Sequence, residues 1–172
     1  MTPAEIILAL VTAQRGAELI LSRHNTTRLM ARGAIEVAAT HYPLMVAVHA
    51  SWLISLWVFG HDQPVNLAAL AVYLLLQGLR IWVMTTLGAR WTTRIIVLPN
   101  APLAASGPYR FLRHPNYAVV IGEIAVLPLM LHLAWIAALF TVLNASVLFI
   151  RIRAEDRALH RSRSLAAQGT PT

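Results

Sequence analysis

The sequence predicts an all-α membrane protein of about five transmembrane helices, a single domain over residues 1–172, and three observations predict it. Apolar side chains make up 58% of the chain, well above the roughly half found in soluble domains. They gather into long runs parted by short polar segments. The 14 basic residues, every one an arginine, fall mostly in alternate connecting segments, the pattern of the positive-inside rule.

Helix 1 is read over Ile6 to Leu21. Gln14, Arg15 and Glu18 interrupt it and no small-residue cleavage site follows, so it reads as a retained helix rather than a signal peptide. Their spacing puts all three on one side, with Arg15 able to pair with Glu18 across a turn. Helices 2 and 3 cover Tyr42–Gly60 and Val65–Leu87, and Gln77 with Arg80 repeats the polar side on helix 3. The run from Tyr117 to Ile150 is too long for one crossing of about 20 residues. A tight reversal near His132 makes it a hairpin of helices 4 and 5.

Arg23, Arg28 and Arg32 then lie between helices 1 and 2, Arg90, Arg94, Arg110 and Arg113 between helices 3 and 4, and Arg151, Arg153, Arg157, Arg161 and Arg163 after helix 5. The opposite turns, His61 to Pro64 and around His132, carry none. This predicts an outside N-terminus and a cytoplasmic C-terminus. Arginine without lysine suggests a bacterial source and hence the inner membrane. Because the arginines punctuate apolar segments instead of interleaving with stacking aromatics, no nucleic-acid partner is expected. The absence of cysteine excludes thiol chemistry and disulfides. Residues 164–172 read as a frayed tail.

A charge at bilayer depth costs at least ~2.5–3.5 kcal/mol, so the polar side chains of helices 1 and 3 should face the bundle or a wet cavity. The natural partner of Arg80 is Glu123 on helix 4, and Asn144 on helix 5 reads as an interhelical hydrogen bonder. His41 and His49 lie near one face of helix 2 without an HExxH or other paired spacing. Hydrogen-bonded or substrate-facing histidines are expected, and no metal site. The five tryptophans fall mostly towards segment ends, where interfacial anchoring explains them.

Two polar clusters remain. In Gly107-Pro108-Tyr109-Arg110-Phe111-Leu112-Arg113-His114-Pro115-Asn116-Tyr117, Pro115 suits the first turn of helix 4 and places Arg113 and His114 at its N-terminus. Unpaired backbone N–H groups there attract an anion such as a carboxylate. The second cluster, Arg151 to Leu159, spaces Arg151 and Glu155 by four residues and would alone be a solvated charged face. The eight glycines never form a GxG, so a soluble dinucleotide-type pocket is not expected. A cap made by the 88–115 loop and the C-terminal stretch would have to hold any polar cofactor.

Taken together, GPYR, RHPNY, a helical hairpin and RIRAEDRAL resemble the isoprenylcysteine carboxyl methyltransferase family of integral-membrane, S-adenosylmethionine-dependent enzymes. Gln14-Arg15 with Glu18, Ser22-Arg23-His24-Asn25, Gly33-Ala34-Ile35-Glu36, His41-Tyr42 and Trp91 to Val97 are similar to its bacterial branch that O-methylates alkylpyrones made by type III polyketide synthases. The resemblance implies S-adenosylmethionine in a pocket within residues 88–163, lined by Tyr109, Arg113, His114, Pro115, Tyr117, Arg151 and Glu155. Arg113 or Arg151 would meet the methionine carboxylate, and Glu155 the ribose hydroxyls or the amino group. It also implies a lipophilic small-molecule substrate, a bilayer setting and a functional link to a type III polyketide synthase. The tail departs from the prenylcysteine enzymes, with Glu155-Asp156 in place of two glutamates and no aromatic-rich continuation.

For an enolic pyrone, already ionised, Arg80, Arg94 or Arg15 could hold the enolate; a phenolic lipid would need His41, His49 or Glu123 to take its proton. The alternatives are a prenylcysteine or other carboxyl methyltransferase, a phospholipid or amine N-methyltransferase, and, from another class, a non-catalytic, quinone-binding or haem-binding subunit using His41 and His114.

Overall fold

The structure is a computed structural model that describes residues 1–37, 39–99, 101 and 104–168, with side chains described as far as residue 154. Helix α1 spans Pro3–Met30. It starts from a reciprocal cap in which the Glu5 N–H donates to Thr2 Oγ1 at 3.1 Å and the Thr2 N–H to Glu5 Oε2 at 2.8 Å. It stops where Gly33 adopts φ +84° and the Ala34 N–H bonds back to the Leu29 carbonyl at 3.1 Å.

The helix runs past the expected end at Leu21, so Arg23 and Arg28 sit on α1 and not in a connecting loop. Ser22, Asn25 and Leu29 are buried on the continuing face, and the two polar ones bond to a distant loop, which gives the extension its tertiary support.

After α1 the chain forms β1 (Ile35–Val37), which pairs antiparallel with β2 (Ile95–Val97), Glu36 opposite Ile96. This ribbon departs from the all-α expectation. Each strand is three residues long, too short for an alternating pattern to announce it. Helices α2 (Tyr42–Gly60) and α3 (Leu67–Leu87) follow, the latter capped by Asn66 Oδ1 accepting from the Ala68 and Ala69 N–H groups. The final pair is α4 (Pro115–Met130) and α5 (Ala134–Gln168).

The reversal between them falls at His132, as the run length predicts. Its φ of +59° lets its N–H reach the Leu129 carbonyl at 3.1 Å while Leu133 bonds to Pro128 at 2.9 Å.

Helix α4 packs between α3 and α5, and α2 packs on α5 and α1. Leu8 of α1, Trp52 and Leu56 of α2, Leu127 of α4 and Ile136 of α5 meet in the common core. Leu10, Ile54, Leu75 and Val142 point outwards and are 62–75% exposed, the surface of a helix bundle that lipid covers. Among the described residues three helical segments are long and apolar enough to cross a membrane: Ala39–Gly60, Leu67–Arg90 and Ala134–Ala154. Helix α4 is apolar but 16 residues long, and α1 carries its charges in mid-helix. Trp52 and Trp91 are buried, not interfacial anchors, whereas Trp82 and Trp135 stay half exposed.

Candidate functional site

Helices α1, α3 and α4 bring six polar side chains together inside the bundle. Glu18 is held by Arg15 NH1 at 2.9 Å, by Gln14 Nε2 at 2.9 Å and by two nitrogens of Arg80. Glu123 is held by Arg15 NH2 at 2.9 Å, Arg80 NH1 at 2.6 Å and Gln77 Nε2 at 2.8 Å. Gln14 also donates to Gln77 Oε1 at 2.9 Å. The pairing of Arg80 with Glu123 follows the sequence expectation, and Arg15 bridges both carboxylates besides. Two arginines against two glutamates make the cluster neutral, the condition for keeping such charges away from water.

This cluster forms one end of a cavity of about 730 Å³ that runs to the arginine-rich end of the bundle. Along one wall, α2 contributes Tyr42, Met45, Val46, His49 and Leu53, a stripe at helical spacing. At the far end stand Arg90, Trp91, Arg94, Tyr109, Arg113, His114, Asn116, Tyr117 and Arg151. The structure therefore gathers Arg80, Arg94, His49 and Glu123 with Tyr109, Arg113, His114, Tyr117 and Arg151 on one cavity.

Two expected residues do not line it. His41 sits in a short 3₁₀ turn ahead of α2 and so is off the α2 stripe. Pro115 is buried as the first residue of α4, where it sets the position of His114 before it. The side chains of Glu155 and Asp156 lie outside the described residues.

The far end is built from loop segments fixed to helices. The Ser22 hydroxyl accepts from the Thr93 N–H at 2.8 Å and contacts Thr93 Oγ1 at 2.8 Å, while Asn25 Nδ2 donates to the Trp91 carbonyl at 2.8 Å. Arg151 of α5 reaches the same loop through the Thr93 carbonyl at 2.9 Å. Arg94 donates through NH1 to both Glu36 oxygens, at 2.7 and 2.9 Å, and lies over the Tyr42 ring at 4.4 Å.

The GPYR turn is pressed against α3. Gly107 has φ +56°, and a Cβ there would lie 2.5 Å from Thr86 Oγ1, so only glycine fits. His114 stacks on Tyr117 with ring centres 5.5 Å apart.

Five buried atoms of cavity-lining residues have no hydrogen-bond partner among the described residues: Arg15 Nε in the inner cluster, Trp52 Nε1 on α2, and Trp91 Nε1, Arg151 Nε and Asn116 Oδ1 at the far end. Buried polar groups are ordinarily paired, so these mark positions that a ligand can satisfy. Asn116 carried no separate signal in the sequence. The pinning role of Ser22 and Asn25 had one, polar residues three apart on the face that continues α1. Asn144, expected to bond between helices, is buried with neither amide atom partnered among the described residues.

The chain is 40% identical over 159 residues to YpbQ of Bacillus subtilis, an uncharacterised protein, covering 90% of this chain and 95% of that one. An uncharacterised protein of Haemophilus influenzae is 24% identical over 160 residues, covering 90% and 93%. No solved structure gives a significant match. The sequence profile of the isoprenylcysteine carboxyl methyltransferase family matches residues 69–161, from early α3 through α4 and into the charged part of α5. With more than half its length matched, and with the matched region supplying most of the cavity's arginine-rich end, this chain belongs to the isoprenylcysteine carboxyl methyltransferase family, a family of membrane methyltransferases.

Proposed function

We propose that the protein is an S-adenosylmethionine-dependent methyltransferase that O-methylates a lipophilic acceptor, the hydroxyl of an alkylpyrone or a related polyketide lipid. The observation that carries this reading is the continuity of one cavity from an arginine-rich polar end to an apolar wall inside the bundle. A polar cofactor and a lipid acceptor can then meet from opposite directions.

The residues present fit the cofactor. Its carboxylate suits Arg113 or Arg151 and its amino group suits Asn116 Oδ1, and the family resemblance assigns its hydroxyl or amino groups to Glu155, whose side chain lies outside the described residues. The aromatic rings of Tyr109, His114 and Tyr117 suit a flat base. The cavity lies within the usual ~300–1,000 Å³ of small-molecule sites. When bound, S-adenosylmethionine supplies an electrophilic methyl carbon on a sulfonium.

The chain's own work is alignment and exclusion of water. Met45, Val46 and Leu53 give the acyl chain an apolar wall, and Arg94 can face an enolate oxygen at the polar end. Arg15 and Arg80 already serve Glu18 and Glu123, so their electrostatic contribution is that of a fixed, preorganised cluster. The altered tail after Glu155 argues against a prenylcysteine acceptor. Five crossings, with α1 and α4 sheltered among the more apolar helices, would put the arginine-rich end at the cytoplasmic face of a bacterial inner membrane. There a lipid made by a type III polyketide synthase would be within reach.

The test is transfer of labelled methyl by the purified protein in lipid, offered an alkylpyrone, an alkylresorcinol, a prenylcysteine analogue and phosphatidylethanolamine. Label is expected in the alkylpyrone. Label confined to the prenylcysteine analogue would move the protein to the carboxyl branch. Neither transfer nor cofactor binding would sink the methyltransferase assignment. Within the same assay Glu155→Gln is expected to weaken cofactor binding.

A further inference from the structure

We infer that His49 is a proton acceptor that extends the site to phenolic hydroxyls, acceptors that do not ionise unaided near neutral pH; the inference rests on the methyltransferase function proposed for the cavity. The ring's Nδ1 lies 2.9 Å from the Met45 carbonyl oxygen. A carbonyl only accepts, so Nδ1 carries the hydrogen and a neutral ring keeps its free lone pair on Nε2. The ring belongs to the α2 stripe that lines the cavity.

The carboxylates on the wall are committed elsewhere, and His114 stands at the far end of the cavity. Glu18 and Glu123 are each held by both Arg15 and Arg80, and protonating either would leave a buried arginine uncompensated. His114 is stacked on Tyr117. The charged groups on the same cavity are Arg15 and Glu18 from α1, Arg80 from α3, Glu123 from α4 and Arg151 from α5, with Arg90, Arg94 and Arg113 at the far end and Tyr42 on the helix of His49 itself. The two carboxylates pair with Arg15 and Arg80, and Glu36 pairs with Arg94.

A phenol ionises near pH ~10, as tyrosine does, and an imidazole near ~6.5. In the step, the phenolic O–H bond breaks, its proton goes to His49 Nε2 and its electron pair stays on oxygen. That oxygen forms the new bond to the methyl carbon of the sulfonium donor as the carbon–sulfur bond breaks, its pair passing to sulfur to leave a neutral thioether. The imidazolium then returns its proton to water through the polar end. An enolic pyrone arrives as the anion and asks nothing of His49.

The test compares wild type with His49→Asn, whose amide can still donate to the Met45 carbonyl but offers no imidazole base. kcat is measured on a 5-alkylresorcinol and on an alkyl-4-hydroxy-2-pyrone. The loss on the resorcinol should exceed the loss on the pyrone by ~100-fold or more, the usual reach of general-base catalysis. Equal losses on both lipids, no loss on either, or a wild-type enzyme that methylates the pyrone alone would overturn the inference.

A second readout needs no turnover. In protein carrying ¹⁵N-histidine, the Nε2 resonance of His49, assigned by its disappearance in the variant, should move when the resorcinol is added without methyl donor. A resonance that stays put overturns the inference. One that moves, in a protein that methylates no lipid, supports the contact with the phenol and removes the methyltransferase reading instead.

Discussion

The two ends of the cavity hold similar side chains in opposite conditions. At the inner end each carboxylate is bound by two arginines and a glutamine, and the charges cancel. At the outer end Arg90, Arg94, Arg113 and Arg151 gather, and Glu36 pairs with Arg94. There Trp91 Nε1, Arg151 Nε and Asn116 Oδ1 stay unpartnered among the described residues. A network that saturates both of its carboxylates has little to offer an anion and much to offer the helices it joins. A gathering of arginines beside buried polar atoms that have no partner among the described residues has the reverse character, that of a site for an anion-bearing cofactor.

The comparison breaks most visibly at Glu123. Replacing it by Gln keeps the size but leaves Arg15 and Arg80 sharing one carboxylate in a buried setting. Removing one member of a buried ion cluster costs about 3–5 kcal/mol. Glu123→Gln is therefore expected to lower the unfolding midpoint in detergent by a wider margin than a single substitution at the outer end. A midpoint within error of wild type would mean that the network does not hold α1, α3 and α4 together.

Arg151 sharpens the contrast from the other end. Its NH2 holds the Thr93 carbonyl while its Nε has no partner among the described residues. Hydrogen bonds to charged groups contribute about 1.5–3 kcal/mol. Arg151→Met, which keeps the apolar stem, should weaken S-adenosylmethionine binding by ~10-fold or more on that scale, read by calorimetry on the reconstituted protein. Its midpoint should fall less than that of Glu123→Gln. Unaltered affinity would take Arg151 out of the cofactor site.

The inner end was far more legible in the sequence than the outer one. Gln14, Arg15 and Glu18 on helix 1, Gln77 and Arg80 on helix 3 and Glu123 on helix 4 interrupt apolar runs, and the cost of a charge in lipid forces such residues to find one another. The α4–α5 hairpin was legible for a related reason, since a run that long has to turn.

The outer end is built from long-range contacts of short loops. Ser22 reaches Thr93, Glu36 reaches Arg94, and Arg151 reaches Thr93 across 71, 58 and 58 residues of chain. No periodicity encodes such contacts. The β1–β2 ribbon stayed hidden, and so did the continuation of α1 past Leu21. His41 lies in a 3₁₀ turn before α2 begins and is not among the residues that line the cavity with His49.

The smallest effect belongs to the pair that closes the ribbon over the outer end. Arg94 is 38% exposed in its side chain, its NH1 serves both oxygens of Glu36, and its guanidinium lies over Tyr42. Exposed ion pairs contribute only ~0–1 kcal/mol, and salt screens them within a Debye length of about 10 Å at 0.1 M. Glu36→Gln should therefore shift the midpoint by less than ~1 kcal/mol, with a difference from wild type that shrinks as salt is added. Its clearer signature should be faster amide exchange in Ile35–Val37 and Ile95–Val97, since the ribbon would keep its backbone pairing but lose its cross-strand clamp. Were Glu36→Gln instead as costly as Glu123→Gln and indifferent to salt, the two ends would not differ in kind. The outer end would then be a second closed network, and the case for an anion site there would fail with it.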